Sequence, residues 1–169
     1  MTGESVREVL ALLERAEVEV WLDGGWGIDA LLGEETRSHR DLDLILAAGD
    51  VPRLCEALAA AGFSPRPGGS ATSFVLADAR GREVDVHAIA FDARGFGVFR
   101  LPGGSWPFPP SAFRGRGRVG SREVRCLSPE AQVACHGQGY APAEKDLADM
   151  ERLQERFGVV LPLALCRPR

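Results

Sequence analysis

The chain has 169 residues, of which 45% are hydrophobic, and a formal net charge of −4. That length suits one domain or two closely packed small ones, and that apolar content excludes a disordered chain. The negative balance argues against a protein that coats duplex nucleic acid, but it leaves room for a metal-assisted enzyme that handles nucleotides.

The opening stretch "MTGESVREVLALLERAEVEV" mixes acids and arginines among its apolar positions. It reads as neither a signal peptide nor a membrane span. Apolar residues at helical spacing through Val6, Leu10, Leu13 and Ala16 predict a helix over residues 5–16. "VEVWLDGG" then alternates as a strand and breaks at Gly24 and Gly25, and "WGIDALLG" follows as a short helix closed by Gly33. "DLDLIL" alternates polar and apolar residues as a half-buried strand. Asp50 is expected to cap the next helix, "VPRLCEALAAAG", which stops at Gly62. "SFVLADARGREVDVHAIA" predicts a hairpin turning at "DARGR".

Residues 91–122 are rich in Gly, Pro and Arg with aromatics between them, and are expected to form a long loop or irregular hairpin before a short strand near Val124. Ser128 and Pro129 then start a helix in "SPEAQVACHGQGY", as N-cap and first helical residue. "PAEKDLADMERLQERFG" is a second helix, closed by Gly158, and the tail after it is expected to pack weakly. Cys55, Cys126, Cys135 and Cys166 show no C-x-x-C spacing, so free thiols in a reducing cytoplasm are expected rather than a zinc site. The order is a mixed α/β (α+β) first half followed by a helical C-terminal third. It divides into residues 1–92, holding the acidic strands, and residues 93–169, holding the basic loop and the last helices.

On a strand, side chains at i and i+2 share a face. Asp41 and Asp43 therefore point one way while Leu42 and Leu44 enter the core. Two anions about 7 Å apart at the backbone can converge on one cation, and without it their repulsion raises a pKa. "REVDVHAI" repeats the pattern: Asp85 and His87 share a face with Glu83. If this strand lies beside "DLDL", Asp85 brings a third carboxylate, a set that suits Mg²⁺ and phosphoryl transfer. The backbone amides of Gly25 and Trp26, at a helix start, supply an anion site for a phosphate. A lone D-x-D is common on solvated strands, so the weight falls on the ordered combination of turn, acid pair and third acid.

Taken together, "GGWGIDALLGEETRSHRDLDL", "EVDVHAI" and "CLSPEAQVACHGQGY…EKDLADM" resemble the small antibiotic nucleotidyltransferases of the DNA polymerase β superfamily. The resemblance is strongest to the lincosamide enzymes, followed by the aminoglycoside 2″-nucleotidyltransferases, and it runs from about Glu19 to Leu153. It implies a polymerase-β-like mixed sheet with flanking helices and a small helical C-terminal part. It also implies a Mg²⁺-dependent reaction in which a hydroxyl of a small-molecule acceptor attacks the α-phosphorus of ATP or another nucleoside triphosphate.

By the same resemblance, Gly24 and Gly25 match the phosphate-gripping turn, and Asp41 and Asp43 match the metal-bridging pair. Asp85 matches the third carboxylate, as metal ligand or as acceptor of the hydroxyl proton. Arg37, His39 and Arg40 are read either as triphosphate contacts or as balance for Asp41 and Asp43, and Trp26 either as a base-stacking or a packing residue. Asp29 is expected to brace the glycine turn and His87 to hydrogen-bond structurally. Lys145 is the only lysine, in a K-D element, and is read as a triphosphate contact against the alternative of an i, i+4 pair with Asp149. Cys126, Cys135 and Met150 are expected in the core.

Residues 91–122 match least and are expected to line the acceptor pocket. They carry Phe96, Phe99, Trp106, Phe108 and Phe113, arginines at 94, 100, 114, 116, 118 and 122, and Asp92 as their one acid. Such walls suit an amphipathic sugar-bearing molecule such as a lincosamide better than a polycationic aminoglycoside. The other readings are an aminoglycoside enzyme, a protein- or RNA-directed minimal nucleotidyltransferase of the antitoxin kind, and a non-catalytic nucleotide-binding domain. The expected setting is the cytoplasm, without membrane or nucleic-acid partners, and the resemblance adds pairing as a homodimer.

Overall fold

The structure is a computed structural model and describes residues 1–101, 104–137 and 141–166. Five helices flank one mixed sheet: α1 (Gly3–Arg15), α2 (Gly24–Leu32), α3 (Val51–Ala60), α4 (Pro129–His136) and α5 (Glu144–Phe157). The strands are β1 (Val20–Asp23), β2 (Asp41–Ala47), β3 (Ser64–Pro65), β4 (Ser73–Ala77), β5 (Glu83–Phe91), β6 (Gly97–Leu101), β7 (Gly104–Phe108), β8 (Gly115–Val119) and β9 (Arg122–Cys126). Their order is β3-β4-β5-β2-β1-β9-β8, with β6 paired to β5 and to β7. Among the described residues no helix is long and apolar enough to cross a membrane.

The expected hairpin forms between β4 and β5, and Asp78 holds its turn by accepting from the backbone N–H groups of Arg80 and Arg82. Asp50 does occupy the N-cap position of α3, but its side chain makes no capping bond. Pro52, in the first turn, has no N–H to offer, and the carboxylate pairs with the Arg53 guanidinium instead. Of the long loop or irregular hairpin expected over residues 91–122, the described residues form the second, and more regularly. They build the hairpin β6–β7, a 3-10 turn over Pro110–Arg114, and the hairpin β8–β9. Both hairpins join the main sheet, β6 on β5 and β9 parallel to β1, so the chain on either side of residue 92 shares one sheet. The glycine-closed ends of α2 and α5 appear as expected, with Gly33 and Gly158 in the left-handed region. Residues 138–140, the end of the "HGQGY" element, and residues 167–169 of the tail lie outside the described residues.

Strand alternation splits the sheet into two chemically different faces. Leu22, Leu42, Leu44, Leu46, Val84 and Val86 turn to one side and pack with α1 and α3 residues such as Val6, Leu13, Leu54 and Leu58. The opposite face carries the acids at one end of the strands and an aromatic cluster at the other. Trp21, Ile45 and Ile89 lie there with Phe108, Phe113 and Leu127. The Trp21 indole N–H donates to the Phe113 carbonyl at 2.9 Å, which ties the middle segment to β1.

Helix α2 is shared between two cores. Trp26 and Ala30 belong to the sheet core, whereas Ile28 packs with Val133, Met150, Leu153 and Leu165. That second cluster docks α4 and α5 against the glycine turn. Met150→Ala is expected to lower the unfolding free energy by about 2–5 kcal/mol, measured by urea denaturation, because Met150 has no exposed surface.

Candidate active site

The register brings three aspartates into one row. Asp23 stands opposite Asp43 across the antiparallel β1–β2 pair, and Asp43 stands opposite Asp85 across the parallel β2–β5 pair. Register partners point to the same side of a sheet, so the three carboxylates share a face. Asp41 follows one rung along, opposite Glu83, on that same face. Asp43, Asp85 and His87 each present one ligand atom within 4.8 Å of the others. Asp41 is outside that tight group: its Oδ2 accepts from Arg40 Nη2 at 3.1 Å, and Arg40 also reaches Glu83 at 3.6 Å.

Burial first, and then crowding of like charge, raises two carboxyls of this row. Burial, followed by the charges of Asp23, Asp41 and Asp85, holds the Asp43 carboxyl well above the usual carboxylate range, with Lys145 pulling the other way. Burial also raises Asp85, against the lowering influence of His87 and with Asp41 adding to the rise. Asp23 Oδ1 is buried without a hydrogen-bond partner. A divalent cation would relieve all of this at once.

A cavity of about 640 Å³ opens over the row. It is lined by Asp23, Asp41 and Asp43 of the sheet edge, the turn Gly24–Gly25, Arg37, His39 and Arg40 of the following loop, and His87 of β5. Cys135 and His136 of α4 and Lys145 and Asp146 of α5 close it. Two glycines are required at the turn. Gly24 has φ of +56°, and a Cβ there would collide with the Asp43 carboxylate; a Cβ on Gly25 would collide with His39 Nδ1. The turn therefore lies directly against the acids, and α2 begins at Gly24 with its first amides free for an anion.

The loop is braced from beneath. Asp29, 2% exposed, accepts from Thr36 Oγ1 at 2.6 Å and holds His39 Nε2 at 2.5 Å. This is the bracing expected of Asp29, carried out through His39. Arg37 donates from Nε and Nη2 to Asp149 Oδ2 at 2.9 and 2.7 Å, linking the loop to α5. The other Asp149 oxygen takes Arg152 at 3.2 Å. Asp149 is thus committed to two arginines, and the alternative i, i+4 pairing with Lys145 is not the one formed. Asp146 caps α5 by accepting from the Ala143 backbone N–H at 2.8 Å.

Two expectations change, and for Trp26 the packing alternative is the one formed. Trp26 is 2% exposed and packs in the sheet core against His39, with ring centroids 4.8 Å apart, so its indole does not line the cavity and only its backbone faces the turn. Phe108 and Phe113 are buried in the aromatic cluster rather than forming pocket walls. Arginines 94, 100, 114, 116 and 118 are exposed and, like Arg122 on Glu14, line no part of the main cavity, which removes their charge from the choice of acceptor. Phe99 stays near the site, edge-on to His87 at 5.5 Å. Cys126 is core as expected, its thiol pushed up to about 12 by burial. Cys135 instead borders the cavity, and burial and then Asp23 keep it firmly protonated.

Sequence reasoning passed over Asp23 and His136, and marked Asp146 only as part of the K-D element. The signal for Asp23 was present, because "WLDGG" puts an acid on the strand just before the turn. A carboxyl raised in the folded state holds its proton more tightly there than in the unfolded chain. The folded protein therefore loses stability as pH rises from the ordinary carboxylate value of about 4 through the raised value. Asp43→Asn removes that loss. In cation-free buffer its melting temperature is expected to match or exceed that of the parent at neutral pH and to vary less with pH. A parent that grows more stable relative to Asp43→Asn as pH rises would refute this.

The comparisons with known proteins agree with the geometry. The family model described as aminoglycoside-2″-adenylyltransferase matches residues 5–153. A lincosamide resistance protein of Staphylococcus haemolyticus is 30% identical over 155 residues, spanning 91% of this chain and 95% of that protein. A 2″-aminoglycoside nucleotidyltransferase of Klebsiella pneumoniae is 29% identical over 135 residues, spanning 76% of this chain and 68% of that protein. Among solved structures, the lincosamide antibiotic adenylyltransferase LnuA with lincomycin bound gives a TM-score of 0.81 at 30% identity, covering 91% of this chain and 97% of that one. ANT(2″)-Ia with adenylyl-2″-tobramycin shares the fold, with a TM-score of 0.74 at 20% identity over 92% of this chain and 89% of its own. The chain belongs to the aminoglycoside-2″-adenylyltransferase family and is a nucleotidyltransferase.

Proposed function

We propose that this enzyme, working in the cytoplasm, transfers AMP from Mg²⁺·ATP to a hydroxyl of a lincosamide antibiotic. The observation that carries the reaction is the register pairing of Asp43 with Asp85, Asp43 lying against the glycine turn in the cavity that acid and turn both line. The donor set fits a hard cation: Asp41, Asp43 and Asp85 offer oxygen, and Asp43 and Asp85 are raised by burial and then by neighbouring carboxylates. The His87 nitrogen, a poorer partner for Mg²⁺, lies 3.7 Å from Asp85 Oδ1. When bound, Mg²⁺ would offset the phosphoryl charge and make the attacking hydroxyl more acidic.

The chain's own residues do the rest. The amides at Gly24, Gly25 and Trp26 grip the triphosphate at the start of α2. Arg37, Arg40 and Lys145 line the same cavity and balance its negative tail. Asp85 meets the acceptor hydroxyl on the side where His87 and Phe99 lie, and takes its proton as the oxygen attacks the α-phosphorus, the bond to the β-phosphate oxygen breaks and pyrophosphate leaves.

Likeness over nearly the whole length of the lincosamide relatives supports the acceptor class. A second reading, an aminoglycoside acceptor, draws support from the cavity's four aspartates, Asp23, Asp41, Asp43 and Asp146, which suit ammonium groups. The resemblance also implies a homodimer, which sedimentation measures directly.

Mass spectrometry after incubation with Mg²⁺ and ATP is expected to give a nucleotidyl adduct of lincomycin or clindamycin, and little or none of kanamycin or gentamicin. Kanamycin modified alone would favour the second reading, and Asp43→Asn should form no adduct. Lys145→Ala is expected to weaken ATP binding about tenfold or more by calorimetric titration, while leaving the melting temperature nearly unchanged. Unchanged affinity would return Lys145 to the solvated face of α5.

A further inference from the structure

We propose that His136 is a sugar-binding residue of this site, and that its Nε2 accepts a hydrogen bond from a sugar hydroxyl of a bound substrate. The inference rests on the nucleotidyl-transfer reading and names a contact within it. His136 ends α4 and is 7% exposed, yet it lines the main cavity. Its Nδ1 lies 2.9 Å from the backbone carbonyl oxygen of Gln132. A carbonyl oxygen only accepts, so Nδ1 carries the proton. In the neutral ring Nε2 is then a lone pair, and it has no partner among the described residues.

The ring is held in place. Gln132, one turn earlier, has no exposed surface, and its Nε2 lies 3.5 Å from the Leu22 carbonyl. A Cβ on Gly27 would collide with that amide, so α4 sits tightly against α2. His136 is therefore fixed relative to the glycine turn and to Asp23, both of which line the same cavity.

The polarity of Nε2 selects its partner. A triphosphate tail offers only acceptor oxygens at neutral pH, and a lone pair repels them. Among the donors the reaction brings in, the hydroxyls of a sugar come close to the carboxylate row. They come from two sources, the ribose one ester bond from the reacting phosphorus and the sugar of the acceptor.

Two variants and two titrations separate these sources. His136→Asn keeps an amide that can donate to the Gln132 carbonyl but removes the acceptor at the Nε2 position. His136→Gln extends a side-chain carbonyl toward that position. In the nucleotide arm, ATP, 2′-deoxy-ATP and 3′-deoxy-ATP are titrated with Mg²⁺ into each protein. If the ribose is the source, the parent prefers ATP over one deoxynucleotide by about fivefold or more. That preference falls to about one in His136→Asn and returns in part in His136→Gln. In the acceptor arm, lincomycin is titrated onto the protein saturated with a non-hydrolysable ATP analogue. A loss of affinity in His136→Asn confined to this arm, with partial recovery in His136→Gln, assigns the acceptor sugar. If the parent and His136→Asn show the same ratios and the same lincomycin affinity, the proposal is overturned. A parent that binds no nucleotide with Mg²⁺ overturns the nucleotidyl-transfer reading, and this inference falls with it.

Discussion

Repulsion among carboxylates on the central strands is the constraint around which this molecule is arranged. Asp23, Asp43 and Asp85 occupy matching positions on β1, β2 and β5, and Asp41 adds a fourth charge one rung away. A sheet cannot separate register partners without giving up its ladder, so the charges are compressed by backbone geometry alone. The chain relieves them at both ends. Arg40 neutralises the Asp41–Glu83 rung from solvent, and Lys145 reaches toward Asp43 from α5. Neither cation removes the excess at Asp43, which is left to hold a proton or to await a stronger counter-ion. Stability is surrendered locally so that the site has a standing demand for positive charge.

The glycine turn depends on the same crowding. Gly24 lies against the Asp43 carboxylate, so the acid row and the start of α2 form one unit rather than neighbouring features. Beneath them, the Thr36–Asp29–His39 chain fixes the loop that bears Arg37 and Arg40. From the other side, Asp149 fixes Arg37 to α5. The Ile28–Met150–Leu153 cluster keeps α5 in place, and with it Lys145. Apolar burial far from the chemistry thus sets where the basic groups stand over the acids.

Much of this could be read from the residues alone, for reasons that lie in the residues. "DLDLIL" and "EVDVHAI" alternate cleanly because one face is core and the other is polar, so both the strands and the shared face of their acids were visible. Helices with a buried stripe, such as α1 and α5, the latter closed by Gly158, were equally clear. Residues 91–122 were not. Their strands β6 to β9 are five residues each, and prolines, glycines and exposed arginines break up the period-two pattern, so hairpins looked like loop. The roles of Phe108 and Phe113 were misjudged, and that of Trp26 stayed open, because burial depends on what packs across from a ring, which composition does not specify. Asp23 and His136 escaped because each matters only through a partner distant in sequence: Asp43 across a strand pair in one case, the cavity over the sheet in the other.

The charge pattern of the cavity also bears on how an acceptor is chosen. Before nucleotide enters, the walls hold four aspartates against Arg37, Arg40 and Lys145. Once a metal-bound triphosphate occupies the turn, the basic groups and the sheet acids face that ligand, and little of their charge is free for a third molecule. Asp146 is committed to its helix cap, and Asp23 lies half-buried at the end of β1. On the proposed reading, besides His136, an acceptor meets the margin where His87 faces Phe99, with Trp106 next to Phe99 across the β6–β7 pair. Aromatic edges and one imidazole select for shape and apolar contact more than for charge. An acceptor with a hydroxylated sugar and an apolar limb can use both halves of that margin, whereas a compact polycation can use only the acids, most of which are already engaged.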